Sequence, residues 1–207
     1  MHYMLISEGK DDRMLLGPID WLLGQHCSVE YSGDWANPAA LEDSSRELSV
    51  RLSQVGRFYP CDLAFVHRDT DTFTYEDRHT EITAALVRSG YGVPVICAIP
   101  VRMTEAWFLF DAAAIRRAAD KPRSVTQLNL PNHTEAQRRA DPKRILEDAL
   151  VVASELSGRK LDQFKKDIGR RKALVSNHID DYSSLRAQSA FLKFESDLRR
   201  VLLENFW

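Results

Sequence analysis

The stretch DLAFVHRDTD, residues 62–71, decides the fold that the sequence predicts. Its first part, Asp62–His67, is an apolar run of strand length, which is typical of a strand buried on both faces. The polar segment RDTD ends that strand, and the apolar spacing of Tyr75–Ser89 predicts a helix soon after it. A buried strand followed by a helix is half of a βαβ unit, so this stretch indicates a parallel sheet.

The same alternation of strand and helix continues on both sides of this stretch. Further strands are predicted at Tyr3–Ser7, Cys27–Tyr31 and Val93–Ile99, and helices are predicted to start at Asp11 and Pro38. The helix after Pro38 has an apolar stripe, formed by Leu41, Leu48, Leu52 and Val55. The predicted fold class is therefore α/β, with a mainly parallel sheet flanked by helices and right-handed crossovers.

The pattern changes after the fourth predicted strand. Thr104–Ala119 predicts a helix, Asp120–Pro142 is polar and predicts a long surface loop or lid, and Pro142–Trp207 predicts helices throughout. We therefore expect an α/β domain at residues 1–119. A polar loop and a helical extension packed on that domain are expected at residues 120–207.

Composition excludes several classes of protein. The chain has 28 Lys+Arg, 30 Asp+Glu and a net charge of -2, so it lacks the global positive charge of proteins that coat nucleic acid, although a local basic groove is compatible with these numbers. Apolar stretches such as Val93–Val101 are shorter than the roughly 20 residues of a membrane span, and acids occupy the start where a signal peptide is apolar. A cytoplasmic protein without membrane contact is expected.

Cysteine usage points the same way. Cys27, Cys61 and Cys97 are widely spaced and include no CxxC pair, which argues against a disulfide framework and a structural zinc site. Because all three lie in apolar runs with the pattern of strands, we expect buried, reduced thiols.

Acidic residues follow the predicted strands where those strands end. Glu8 ends the first strand and Asp12 follows it, Asp69 and Asp71 end the third, and Glu105 comes after the fourth. Because ligands of parallel sheets bind beyond the carboxyl ends of the strands, these acids are expected to meet in one cleft. Such a cluster suits one or two Mg²⁺ or Mn²⁺ ions, whereas any single acid could equally serve as a helix cap.

Two motifs in this order carry a family resemblance. Glu8-Gly9-Lys10-Asp11-Asp12 at the end of the first strand, followed by Asp69-Thr70-Asp71, resembles the Toprim fold of topoisomerases, primases and OLD-family nucleases. Met103-Thr104-Glu105-Ala106-Trp107 and Asp141-Pro142-Lys143 are similar to Toprim-like proteins found beside ATPase genes in prokaryotic defence loci. The resemblance covers residues 3–111 well and the remainder loosely.

The resemblance implies a role for each matching residue. Glu8 would lie nearest the chemistry, as a metal bridge or general base, and Asp69 and Asp71 would hold Mg²⁺. Asp12 and Glu105 would complete a second metal site. The extra charges at Lys10 and Asp11 leave open whether Asp11 or Asp12 is the ligand, although Asp12 fits the EGxxD spacing better. Lys143 would donate to the phosphate, or is a solvated residue at a helix start.

Basic and aromatic side chains add weaker indications. Arg68, Arg78 and Arg102 flank the acids and are candidates for phosphate contact, and His67 is either a phosphate contact or a packed strand residue. The densest basic segment, together with nearby cations, forms either a wall for a nucleic-acid backbone or a solvated face. These residues are Arg138, Arg139, Lys143, Arg144, Arg159, Lys160, Lys165, Lys166, Arg170, Arg171 and Lys172. Trp107, Phe108 and Phe110 are expected in the core.

Metal-dependent phosphoryl transfer is the only catalytic chemistry whose parts are all visible in the sequence. GxxxxGK[ST], GxSxG and HExxH motifs are absent, so any ATP hydrolysis would come from a partner. The favoured hypothesis is a metal-dependent Toprim-type nuclease that cuts DNA or RNA as a defence effector controlled by an ATPase. The alternatives are a non-catalytic subunit of an ATPase complex and a phosphoryl-transfer enzyme that acts on a small nucleotide. A homo-oligomer is compatible with each of these hypotheses.

Overall fold

A four-stranded parallel sheet forms the centre of the molecule in the computed structural model, which describes residues 1–41 and 47–207. The strands are β1 His2–Ile6, β2 Ser32–Ala36, β3 Leu63–His67 and β4 Val95–Ala98, in the order β2-β1-β3-β4. In the register, Tyr3 pairs with Leu63, and Ala64 pairs with Val95. Helices flank the sheet, which confirms the predicted α/β fold class.

Side chains of the two central strands alternate between two cores. Tyr3, Leu5 and Phe65 point into the larger core, while Met4 and Ile6 point into the smaller one. This alternation follows from the two-residue period of a strand, and all five side chains are buried because helices cover both faces. The continuous apolar pattern of DLAFVH reflects this double burial.

The helices divide between the two faces of the sheet. Those on the larger core are α1 Leu16–His26, α4 Ala112–Ala118, α6 Pro142–Ser154, α8 Ile168–Asn177 and α9 Ser189–Glu204. On the smaller core lie α2 Leu48–Phe58 and α3 Tyr75–Ser89. The helix predicted from Pro38 to Val55 is observed as a 3₁₀ turn Pro38–Ala40 and as α2, and its residues 42–46 lie outside the described part of the chain.

The prediction of the second strand is wrong by several residues. Cys27 follows α1, and its backbone N–H still donates to the Leu23 carbonyl at 2.8 Å, so the chain pairs with β1 only from Ser32 onward. β2 is an edge strand with exposed residues, and it therefore lacks the apolar pattern of a buried strand. Gly33 is required there, because a Cβ atom would lie 1.9 Å from Cζ of Tyr3.

The segment after β4 is less regular than a single helix. A 3₁₀ helix, Thr104–Phe108, precedes α4, and Trp107 and Phe108 are fully buried while Phe110 packs at the core margin. The core assignment of these aromatic residues is thus confirmed. The polar segment predicted at Asp120–Pro142 is mostly loop and includes a short helix, α5 His133–Ala136.

The C-terminal helices share the core of the sheet. The Phe194 ring of α9 lies 5.9 Å from Phe65 of β3 and 5.9 Å from Trp107, measured between ring centroids. The remaining helix of this part, α7 Gly158–Lys166, places Phe164 in the same core. Residues from both ends of the sequence therefore stabilise the sheet together.

The three cysteines are free, but their environments differ. Cys97 is buried in β4, whereas Cys27 and Cys61 are only partly buried and lie outside the strands. The prediction that all three are buried in strands therefore holds for Cys97 alone. Among the described residues, no helix combines the length and the apolar character that crossing a membrane requires.

Candidate functional site

An open cavity of about 550 Å³ lies beyond the carboxyl ends of β1, β3 and β4. The predicted residues that the fold brings together in its lining are Glu8, Asp12, Arg68, Asp69, Glu105 and Lys143. Asp11, the open alternative to Asp12, lines the cavity as well, and so does Arg51, which the sequence did not single out. The convergence follows from the parallel topology, which places the ends of neighbouring strands at one edge.

The turn after β1 separates the roles of Asp11 and Asp12. A 3₁₀ helix, Lys10–Leu15, begins directly after Gly9, and the Gly9 N–H donates to Asp12 Oδ2 at 2.8 Å. This bond directs Asp12 back toward the end of the strand, where it meets His67. Asp11 points toward α8 and meets Lys172. Asp12 is therefore the residue of this pair that lies beside the end of β3.

His67, Asp12 and Asp69 form a compact group at the base of the cavity. The His67 ring is buried, its Nε2 lies 3.0 Å from Asp69 Oδ1 and 2.9 Å from Thr104 Oγ1, and its Nδ1 lies 3.3 Å from Asp12 Oδ2. Asp69 Oδ1 also accepts the Thr104 N–H at 2.8 Å. The bonds from His67 and Thr104 fix the position of the Asp69 carboxylate.

Charge in this group is shared among its three members. Burial lowers the pKa of His67, but the charges of Asp12 and Asp69 outweigh burial and raise it to about 10. Burial opposes ionisation of Asp12, yet the nearby charge of His67 and the hydrogen bond from the Gly9 N–H hold the pKa of Asp12 below its ordinary value. The two carboxylates therefore favour the charged form of the buried His67 ring.

The group contains side chains that could hold a divalent metal ion. Ligand atoms of Asp12, His67 and Asp69 all lie within 4.8 Å of one another. Nδ1 of His67 is buried and, despite the 3.3 Å approach of Asp12, makes no hydrogen bond of acceptable geometry in the described structure. An imidazole nitrogen beside two carboxylates suits Mn²⁺ better than Mg²⁺, which prefers oxygen ligands.

Glu8 lies at the rim of the same cavity and pairs with Arg68. Nη1 of Arg68 donates to Glu8 Oε1, and its Nη2 lies 3.1 Å from Glu81. The strand end that carries Glu8 is held by Arg51, whose Nη1 donates to the Ser7 carbonyl at 2.9 Å and the Glu8 carbonyl at 3.0 Å. Arg68 is thus committed to two carboxylates, and Glu8 keeps about a third of its side chain exposed.

Lys172, which was predicted to lie on a basic surface, contacts both Glu105 and Asp11. The Lys172 side chain is 1% exposed, and its Nζ lies 2.7 Å from Asp11, 3.2 Å from Glu105 and 3.3 Å from Glu147. Burial raises the pKa of Glu105 although Lys172 opposes that shift. The prediction of a basic wall is therefore wrong at Lys172, because α8 turns this residue inward.

The rest of the basic segment divides into paired and unpaired cations. Arg170 donates to both carboxylate oxygens of Asp167, and Arg171 pairs with Asp120. On α7, by contrast, the basic side chains are exposed and no ion pair involves them within the described residues. They are Arg159, Lys160, Lys165 and Lys166.

Three predicted residues lie outside the cavity lining. Asp71 adopts a left-handed conformation with φ of 50°, and its carboxylate lies 3.4 Å from Arg78. Arg78 donates to the Asp69 carbonyl at 2.8 Å and stacks over the Phe73 ring, so it supports the loop after β3. Arg102 is exposed, and its N–H donates to Thr70 Oγ1 at 2.6 Å.

Lys143 is a solvent-accessible cation of the cavity, as is Lys10. It follows Pro142 at the start of α6, its side chain is half exposed, and its Nζ lies 3.6 Å from Asp11. An exposed ammonium that faces the acids can reach a ligand without breaking a buried contact. Comparison with protein-family models, curated proteins and solved structures found no match to this chain.

Proposed function

We propose that the chain is a metal-dependent phosphodiesterase, a Toprim-type nuclease that hydrolyses DNA or RNA. The observation that carries this proposal is the group of Asp12, His67 and Asp69 at the base of an open cavity, with Glu8 at its rim. Ligands from separate strand ends leave room for a phosphate and a water molecule, as hydrolysis requires.

Each residue of the cavity then has a defined task. Asp12, Asp69 and His67 would hold a divalent ion, which when bound would polarise the phosphate and lower the pKa of a coordinated water. Glu8 would accept a proton from the attacking water, since its carboxylate is partly exposed and is oriented by Arg68. Lys143 would donate to a phosphate oxygen as negative charge develops there.

The exposed cations of α7 support a polymeric substrate. Phosphate contacts by lysine and arginine supply most of the sequence-independent affinity for nucleic acid. α8 begins directly after α7, and Gly169 at its start lies against Asp11, where a Cβ atom would be 3.5 Å from Oδ1. The basic helix therefore ends next to the cavity, as expected of a surface that leads a backbone to the site.

The defence role and the ATPase partner rest on the family resemblance. The exposed end of α9 offers a surface for such a partner, since Leu203 is 79% and Phe206 is 91% exposed. Trp207, by contrast, packs against the core. We expect Phe206→Ser to weaken assembly with the ATPase and to leave the isolated chain folded. Unchanged assembly would mean that the ATPase binds another surface. If the chain instead forms a homo-oligomer through this surface, the variant should have a lower molecular mass in solution than the native protein.

One observation favours the non-catalytic alternative. The protein's own cations already compensate the acids of the cavity, because Arg68 contacts Glu8, Lys172 contacts Asp11 and Glu105, and His67 bridges the remaining pair. The cluster can therefore be stable without a metal, as a binding subunit would need. An enzyme that acts on a small nucleotide would use the same cavity without α7.

A cleavage assay with matched variants tests the proposal. We expect Mn²⁺-dependent cleavage of DNA or RNA by the native chain, and a loss of more than about 100-fold in Glu8→Gln, Asp12→Asn and Asp69→Asn. Asp71→Asn is the control, because Asp71 lies outside the cavity lining, and it should retain activity. Equal activity in all four folded variants would contradict the proposal. Cleavage of a dinucleotide but not of a polymer would favour the small-nucleotide alternative.

A further inference from the structure

The Lys172 ammonium lies inside the protein among carboxylates, where a metal ion could otherwise bind. Its ammonium contacts carboxylates from three separate elements: Asp11 of the turn after β1, Glu105 of the 3₁₀ helix after β4, and Glu147 of α6. The three donors of an ammonium group match three acceptors. A buried lysine with these contacts resembles a bound metal ion, because it carries a positive charge and is surrounded by carboxylate oxygens.

The salt bridges of the cavity leave enough unpaired carboxylates to bind a single divalent ion. Glu8 faces Arg68, and Asp11 and Glu105 face Lys172, so these three acids already have a cation in contact. Among the described acids of the cavity, only Asp12 and Asp69 have no arginine or lysine within salt-bridge distance, and their shared partner is His67. Two carboxylates and one imidazole suffice for one ion and not for two.

From this arrangement we infer that the site binds one divalent ion, and that Lys172 takes the place of the second cation that Asp11 and Glu105 would otherwise bind. The inference rests on the proposed function and deepens it. Lys172 is a positioning residue in this account, since it acts through the carboxylates and does not contact substrate. Its buried ammonium would also keep Glu105 from turning toward the ion at Asp69.

Counting bound Mn²⁺ by electron paramagnetic resonance at saturating metal tests this inference. We expect one ion per native chain and two per chain in Lys172→Met, with the second ion lost again in Lys172→Met/Glu105→Gln. Lys143→Met is the matched control, because Lys143 also faces Asp11 but is half exposed, and it should keep one ion. A folded Lys172→Met that binds a single ion would overturn the assigned role of Lys172.

A second measurement covers the case in which Lys172→Met does not fold. Loss of an outer partner of a metal ligand typically weakens metal binding by about 10- to 100-fold. We expect Glu105→Gln to weaken Mn²⁺ binding by less than about 10-fold, because Glu105 contacts Lys172 and none of the proposed ligands. Asp69→Asn should weaken it by more than about 100-fold, because Asp69 is a proposed direct ligand. Equal losses would overturn the inference. Two ions in the native chain would also overturn it while leaving the proposed metal centre intact, whereas no bound ion would contradict the proposed function itself.

Discussion

The Lys172 ammonium lies 2.7 Å from the Asp11 carboxylate, although the two residues are 161 positions apart in the chain. This contact fastens α8 to the turn that carries Asp12, so the C-terminal helices help to shape the cavity. α8 is fixed there by a second bond, from Ser176 Oγ to the Met14 carbonyl at 2.6 Å. The helical part is thus a component of the site.

Lys172→Met should destabilise the chain strongly. The substitution leaves Asp11, Glu105 and Glu147 without their buried counter-ion, and removal of one partner of a buried ion pair costs about 3–5 kcal/mol. Lys143→Met should cost less than about 1 kcal/mol, because that ammonium is half exposed. Urea denaturation of both variants measures the difference. Similar free energies of unfolding would show that the Lys172 contacts contribute little.

Gly33→Ala should destabilise the edge of the sheet. An added Cβ would lie within 2.5 Å of the Tyr3 ring, a buried side chain that cannot move away freely. Overpacking of this kind costs about 1–3 kcal/mol. Gly92→Ala is the control, because nothing lies within 4 Å of a Cβ at that position. The melting temperature of Gly33→Ala should be lower than that of Gly92→Ala. Equal melting temperatures would mean that the Tyr3 ring does not lie against Gly33.

Stability should fall in acid partly through Glu195. Hydrogen bonds from Arg186, at 2.8 Å from Nε to Oε2, hold the pKa of Glu195 below its ordinary value although burial opposes this. An acid with a lowered folded pKa stabilises the protein above its unfolded pKa, and this contribution is lost as pH falls through the folded value.

The matched variant for this effect is Glu195→Gln. We expect it to be less stable than the native chain at pH 7, and the difference in melting temperature should shrink as the pH falls below 4.5, the ordinary pKa of a glutamate. Melting curves between pH 7 and pH 3, as rough limits, measure this. A difference that stays constant over this interval would refute a contribution from the ionised carboxylate.

Substitution by alanine should have a large effect on stability at one position of the C-terminal part and almost none at another. Leu198 is fully buried in α9, so Leu198→Ala should cost about 2–5 kcal/mol. Phe206 is 91% exposed, so Phe206→Ala should change the free energy of unfolding by less than about 0.5 kcal/mol. Denaturation of the isolated chain measures both. A large effect at Phe206 would mean that this ring is buried, and its use as a docking surface would then be excluded.

The sequence predicts the parallel sheet because its central strands carry their own signal. The apolar run Leu63–His67 is buried on both faces, and the acids at the strand ends converge because the topology requires it. β2 was misplaced since an exposed edge strand such as Ser32–Ala36 has no comparable pattern. The left-handed turn at Asp71 was equally invisible, since spacing alone does not reveal a backbone conformation.

The contacts that organise the site were harder to foresee. Arg51 and Lys172 act on groups that are distant in sequence, and no local pattern encodes those distances. One signal existed for Lys172, since its spacing from Ile168 and Val175 is that of one helix face. Val175 is buried in the core, so a lysine on that face needs buried acids as partners.

Calorimetric titration with Mn²⁺ tests the central claim, a metal centre at Asp12, His67 and Asp69, most directly. Three folded chains are compared: the native protein, Asp69→Asn and Asp71→Asn. We predict saturable binding to the native chain and to Asp71→Asn, and binding weakened by more than about 100-fold in Asp69→Asn, as expected for loss of a direct ligand. Absence of binding to the native chain, or equal affinity in all three, would contradict the account.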